Sequence, residues 1–88
     1  MIALQDFRSF VRVIGDELDD QLSLALSAGR AEAAAYLGRD AVETVSDEVM
    51  GVMYLARSHF DDADADRCRH VGRLLLFPSR MASGVGGA

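Results

Sequence analysis

Lysine is absent from this chain; all nine basic residues are arginines. Fourteen acidic residues oppose them, giving a formal charge of −5 and a pI near 4.7. An acidic balance of this kind excludes non-specific nucleic-acid binding driven by charge alone. Arginine without lysine favours planar, two-pronged pairing at packed surfaces, which a lysine ammonium cannot provide. Cysteine occurs once, at Cys68, so no internal disulfide is available. A secreted, disulfide-stapled mini-protein is excluded, a reducing compartment is expected, and the thiol reads as a small half-buried side chain. Long apolar runs are missing too. The longest, Leu74 to Phe77, falls far short of the roughly 20 residues that a membrane span needs. The first residues lack a basic stretch ahead of an apolar one, so no secretory leader is expected.

What is present is helical patterning. The chain has 88 residues, half of them hydrophobic, which bounds it to one domain with a modest core and a thin stability margin without partners. Leu4, Phe7, Val11 and Ile14 recur at helical spacing and predict a short helix over Ala3 to Val13, stopped by Gly15. Asp16 is then expected as the N-cap of a long second helix. Asp19 completes a near capping box, and Glu17, Asp19 and Asp20 complement the helix dipole. Leu18, Leu22, Ala25, Leu26, Gly29, Ala33 and Tyr36 form its core stripe. A second, small-residue stripe comprises Leu24, Ala28, Ala31 and Ala35. Either another element of the same chain or a neighbouring subunit covers it; the sequence leaves both open. Gly38-Arg39 ends this helix.

A third helix is expected from Thr44 to Ser46 onward, with Asp47 and Glu48 in its first turn. Val45, Val49, Val52, Met53, Ala56 and Phe60 form its core face, Met50 and Tyr54 widen it, and Leu55 falls on the far side. Asp61 to Asp66 (DDADAD) then reads as an acidic hinge. Val71 to Phe77, closed by Pro78, reads as a short arm, either one helical turn or strand-like. The glycine-rich end is expected to be a flexible tail over residues 81–88. The fold class is therefore all-α: a small bundle of three main helices, a C-terminal arm and a tail, with residues 1–80 forming the domain.

No catalytic constellation emerges. Asp62, Asp64 and Asp66 invite a calcium-loop reading, but Arg67 and Arg73 stand where that loop needs glycine and glutamate. His59, Cys68 and His70 lack the spacing of a structural zinc site. A cysteine–histidine nucleophilic pair has no orienting third group, and the terminal glycines follow no strand that would make a phosphate loop. No enzyme activity, cofactor or metal is expected.

The order of features resembles the small head–tail connector proteins of tailed bacteriophages, also called head-completion or adaptor proteins. The resemblance rests on Met1-Ile2 with Leu4, then Arg12-Val13, then the acidic Asp16 to Asp20. The alanine-rich helix follows, ending in Tyr36 and Gly38-Arg39. The helix Val49 to Phe60 with acids behind it, and a closing Leu74-Leu75-Leu76, Pro78 and Arg80, complete the pattern. The chain departs from it in lacking a proline at the start of the third helix and in its aspartate-rich hinge. The resemblance implies a homo-oligomeric ring of about a dozen subunits beneath a portal protein at the head–tail junction of a virion, assembled in the host cytoplasm. Genomic DNA would pass through it without sequence-specific binding, a stopper or tail-completion protein would dock below, and no membrane is involved. Within that ring, Leu24, Ala28, Ala31 and Ala35 are expected to meet Tyr54, Arg57, Leu74 and Phe77 of the next subunit. Arg73, Pro78 and Arg80 are assigned to the arm that reaches the portal. The competing expectation is a small acidic inhibitor that mimics DNA, suggested by the aspartate runs.

Overall fold

The amphipathic spacing of Leu22, Leu26, Ala33 and Leu37 produces a 19-residue helix whose buried side these residues occupy. The computed structural model describes residues 2–82. Among them every regular element is helical: α1 (Leu4–Phe10), α2 (Asp19–Leu37), α3 (Ser46–Phe60) and α4 (Ala65–Ala82), with one 3-10 turn, Asp62–Asp64, leading into α4. The all-α class expected from the sequence is therefore present. α3 lies between its two long neighbours and runs antiparallel to each. Phe7, Leu22, Leu26, Leu37, Val52, Leu55 and Leu76 form the buried core.

Two close approaches set the helix spacing. Gly29 of α2 faces the backbone of Ala56 in α3, where an added Cβ would lie only 2.6 Å from the Ala56 Cα and N. On the other side of α3, Gly51 receives the Leu76 side chain, and Gly72 of α4 receives Leu55. Small residues at these crossings let helix backbones pack tightly, and dispersion gains accumulate along the contact.

The helix ends depart from expectation at several points. α1 has seven residues and gives way to a turn at Val11, because Arg12 adopts a left-handed φ of 62°. The break discards the helical register, so Ile14 is 98% exposed instead of joining Leu4, Phe7 and Val11 on the core side. Asp16 is not a side-chain cap. The N-cap position is Leu18, without a side-chain bond, and Asp16 gives only its carbonyl to the Asp19 N–H. The Asp19 carboxylate instead accepts from Arg8 at 2.6 Å. Asp19 and Asp20 still occupy the first turn, where the helix dipole favours them. Gly38 ends α2 with a left-handed φ of 78°, as expected of a glycine stop.

The largest correction lies after Phe60. The aspartate run connects α3 to α4 as expected, but as an ordered turn and not an open hinge. Asp61 accepts the Ala63 N–H at 3.2 Å, the 3-10 turn follows, and Asp66 sits in the first turn of α4. Segment 62–73 is thus helical and not a twelve-residue loop of the calcium-binding kind. α4 then runs for 18 residues and includes Pro78, so the expected arm is a full fourth helix. Pro78 deprives the Leu74 carbonyl of its helical donor. Both residues are exposed, so water can take the donor's place. Residues 81 and 82, expected in the tail, close α4; the rest of the expected tail lies outside the described residues. α4 also covers Leu55, which is fully buried and not on an open far side.

Two arginine–carboxylate clamps fix the connections. Glu48, buried at the start of α3, accepts from both Arg39 nitrogens (2.9 and 3.3 Å), the Val42 N–H (2.8 Å) and the Ser79 hydroxyl (3.2 Å). Glu43 accepts from Arg30 and from the Ile2 N–H at 2.6 Å, while Arg30 also donates to the Ile2 carbonyl. Both carboxyls are held below their ordinary pKa, because the arginine hydrogen bond outweighs the burial that opposes it.

Candidate functional site

The sequence-expected interface residues fall into three places. At about 100° per residue, Leu24, Ala28, Ala31 and Ala35 lie opposite the Leu22–Leu26–Ala33 side of α2. No other element of the described chain buries them as a set: Leu24 is 72% exposed, Ala31 and Ala35 are exposed, and Ala28 is half-buried. The stripe is a flat apolar strip of small side chains with one leucine at its N-terminal end. Beside it Gln21, Leu24 and Ala28 of α2 and His59 and Phe60 of α3 line a shallow groove of about 370 Å³.

Leu74 and Phe77 lie on α4, opposite the buried line Cys68, Gly72 and Leu76. They are 60% and 50% exposed. Met81, four residues beyond Phe77, extends this ridge at 45% exposure. Sequence reasoning missed Met81 because it had placed that residue in the tail; the Leu74–Phe77–Met81 spacing of three and four was the signal available. This second face is made of large side chains, unlike the first.

Tyr54 and Arg57 do not lie on that ridge. The Tyr54 ring packs edge-on against Phe10, with centroids 5.1 Å apart, and Arg57 stands 3.7 Å from Asp61 and 4.0 Å from Asp64. Both line a cleft together with Arg12 and Arg67. The residues expected to form a free arm are also engaged. Arg80 lies over the Tyr36 ring at 4.7 Å, and Arg73 reaches Glu32 at 3.8 Å. Pro78 is exposed.

Glu32 ties α2 to both other long helices. It accepts from Arg69 at 3.1 Å and pairs with His59 at 2.8 Å. His59 is thereby turned toward Glu32, and Cys68 is buried with its sulfur 4.0 Å from Asp64. Burial is the main cause pushing the Cys68 thiol above its ordinary pKa, the direction of a structural and not an activated cysteine. Among the described residues no three histidine, cysteine, aspartate or glutamate side chains group as metal ligands. No helix there is long and apolar enough to cross a membrane.

Comparison of the chain with family models, with curated proteins and with solved structures gives no match.

Proposed function

We propose that this chain is a structural subunit that joins copies of itself head-to-tail into a closed ring, as a head–tail connector of a tailed phage does, with DNA passing through the centre and no chemistry performed. One observation carries the reading: two unlike apolar faces stand open on two different helices, the small strip on α2 and the large-residue ridge on α4. A two-fold dimer joins a patch to itself, whereas a ring joins two different patches of neighbouring subunits. A ridge of large side chains and a groove between helices offer unlike surfaces. Leu74, Phe77 and Met81 of one subunit would seat beside Leu24, Ala28 and Ala31 of the next, with the groove at Phe60 receiving an aromatic ring. Contact with the portal is assigned to α4 from its middle onward, where Arg73, Pro78 and Arg80 stand.

The acidic-decoy alternative draws less support. Six of the fourteen acids, Asp19, Glu32, Glu43, Glu48, Asp61 and Asp64, are paired with arginine or histidine inside the chain. A DNA mimic needs its negative charge displayed.

Ala31→Glu is the direct test, because Ala31 is exposed and its replacement leaves the core untouched. We expect a monomer in analytical ultracentrifugation with unchanged helical circular dichroism. Wild-type oligomers from this variant would refute the assignment of the α2 strip.

A further inference from the structure

We propose that the cleft between the turn after α1, the middle of α3 and the start of α4 binds a phosphate group. The cleft encloses about 580 Å³ and is lined by Arg12, Arg57 and Arg67 together with Ser9 and Tyr54. This inference stands apart from the ring reading and holds or fails without it.

The arginines of this chain behave in two ways. Arg8, Arg30, Arg39 and Arg69 each sit within 2.6 to 3.1 Å of a single carboxylate, on Asp19, Glu43, Glu48 and Glu32 respectively. Those guanidiniums are structural clamps. The three at the cleft are held more loosely, as is Arg73 outside it, 3.8 Å from Glu32; Arg80 lies over the Tyr36 ring. Arg57 has its acids at 3.7 and 4.0 Å, and Arg67 meets Asp64 at 3.7 Å, distances beyond a hydrogen bond. Arg12 forms no ion pair among the described residues. Arg57 and Arg67 thus hold their acids as loose ion pairs without a hydrogen bond, which leaves N–H donors to turn to a ligand. The cleft's lining holds three arginines and no carboxylate, in a chain of net charge −5; Asp61 and Asp64 are the acids that reach Arg57 and Arg67. Gathering like charges costs energy that a bound anion removes.

Arg12 adds a backbone observation. Its φ of 62° is a left-handed conformation that glycine or asparagine adopts at lower cost. This left-handed, exposed arginine lines the cleft beside Arg57 and Arg67, and strained backbone of this kind clusters at ligand sites. The chemistry favours phosphate over carboxylate. One guanidinium fork satisfies a carboxylate, as the four clamps do here. Three guanidiniums from three separate elements, with two hydroxyls, suit a tetrahedral group with three acceptor oxygens. The group could belong to a free phosphate compound or to a DNA backbone.

The full chain is titrated at low ionic strength with pyrophosphate by calorimetry, and with a labelled DNA duplex by fluorescence anisotropy. Wild type is compared with Arg12→Gly, which keeps the turn's φ accessible, and with Arg67→Ala, both checked for helical content. We expect one of the two ligands to bind wild type and each variant to lose about tenfold in affinity, the scale of one charged hydrogen bond. Pyrophosphate binding identifies a free phosphate as the source; binding of DNA alone identifies the backbone. Absence of binding by wild type to both, or binding by both variants equal to that of wild type, overturns the proposal.

Discussion

Glu48 joins three distant parts of the chain: the loop after α2 through Arg39 and Val42, the start of α3 through its own backbone, and the end of α4 through Ser79. Its folded pKa, like that of Glu43, is depressed below the ordinary glutamate value by arginine hydrogen bonding. Depressed carboxyls give stability that is complete above their unfolded pKa and is lost as pH falls through the lower folded values. Acid unfolding followed by circular dichroism should therefore begin below about pH 4.5. Glu48→Gln should cost about 2–3 kcal/mol at neutral pH, as loss of a buried charge from an ion pair does, and should flatten that acid limb. An unchanged acid limb would remove Glu48 from the account. Arg12 predicts the opposite sign. Arg12→Gly relieves a left-handed residue and should raise stability by about 1 kcal/mol, seen as a higher melting temperature. At this scale the sequence was only partly legible. Glu48 read as a first-turn acid serving the helix dipole, because its burial depends on Arg39 and on a fourth helix that the local pattern did not announce. Arg12 gave no signal at all, since a positive φ is set by how the turn must join α1 to the next segment.

Helices α2 and α3 follow from their spacing, and the glycines within them specify how closely they pack. Gly29→Ala places a Cβ against the Ala56 backbone, which has no flexible end to yield. It should destabilise by about 1–3 kcal/mol through overpacking, outweighing the roughly 1 kcal/mol that alanine gains in helix propensity. Gly51→Ala meets the Leu76 side chain, so repacking lowers its cost. Denaturant unfolding of the two variants should rank Gly29→Ala as the worse, and the reverse ranking would contradict the close-packed α2–α3 crossing. α4 was the element hidden from sequence reading, for three physical reasons. Its buried line is Cys68, Gly72 and Leu76, of which only one is a large apolar residue. Its polar-rich first turn resembles a hinge. Its proline resembles a stop, although an exposed carbonyl four residues earlier can be solvated. Missing α4 also left Leu55 on the far side of α3, since the close approach of Gly72 that helps bury Leu55 belongs to α4.

At the scale of the whole molecule, part of the apolar surplus expected to need a partner is satisfied internally by α4 on α3. What stays open is narrower and better defined: the small strip on α2 and the ridge of Leu74, Phe77 and Met81. The strip was legible in the sequence because it repeats every three to four residues along a helix whose other side was clearly the core. Exposed apolar residues arranged as rows on two helices, rather than scattered singly, mark association surfaces. The two rows differ in size and sit on different helices; pairing of one with the other, as proposed above, is a head-to-tail contact of the kind that closes into a ring. Native mass spectrometry of the purified chain over a range of concentrations tests this most directly. The account predicts one discrete closed oligomer of more than two subunits, about a dozen if it follows the connector plan. A chain that stays monomeric at every concentration, or that stops at a dimer, contradicts it.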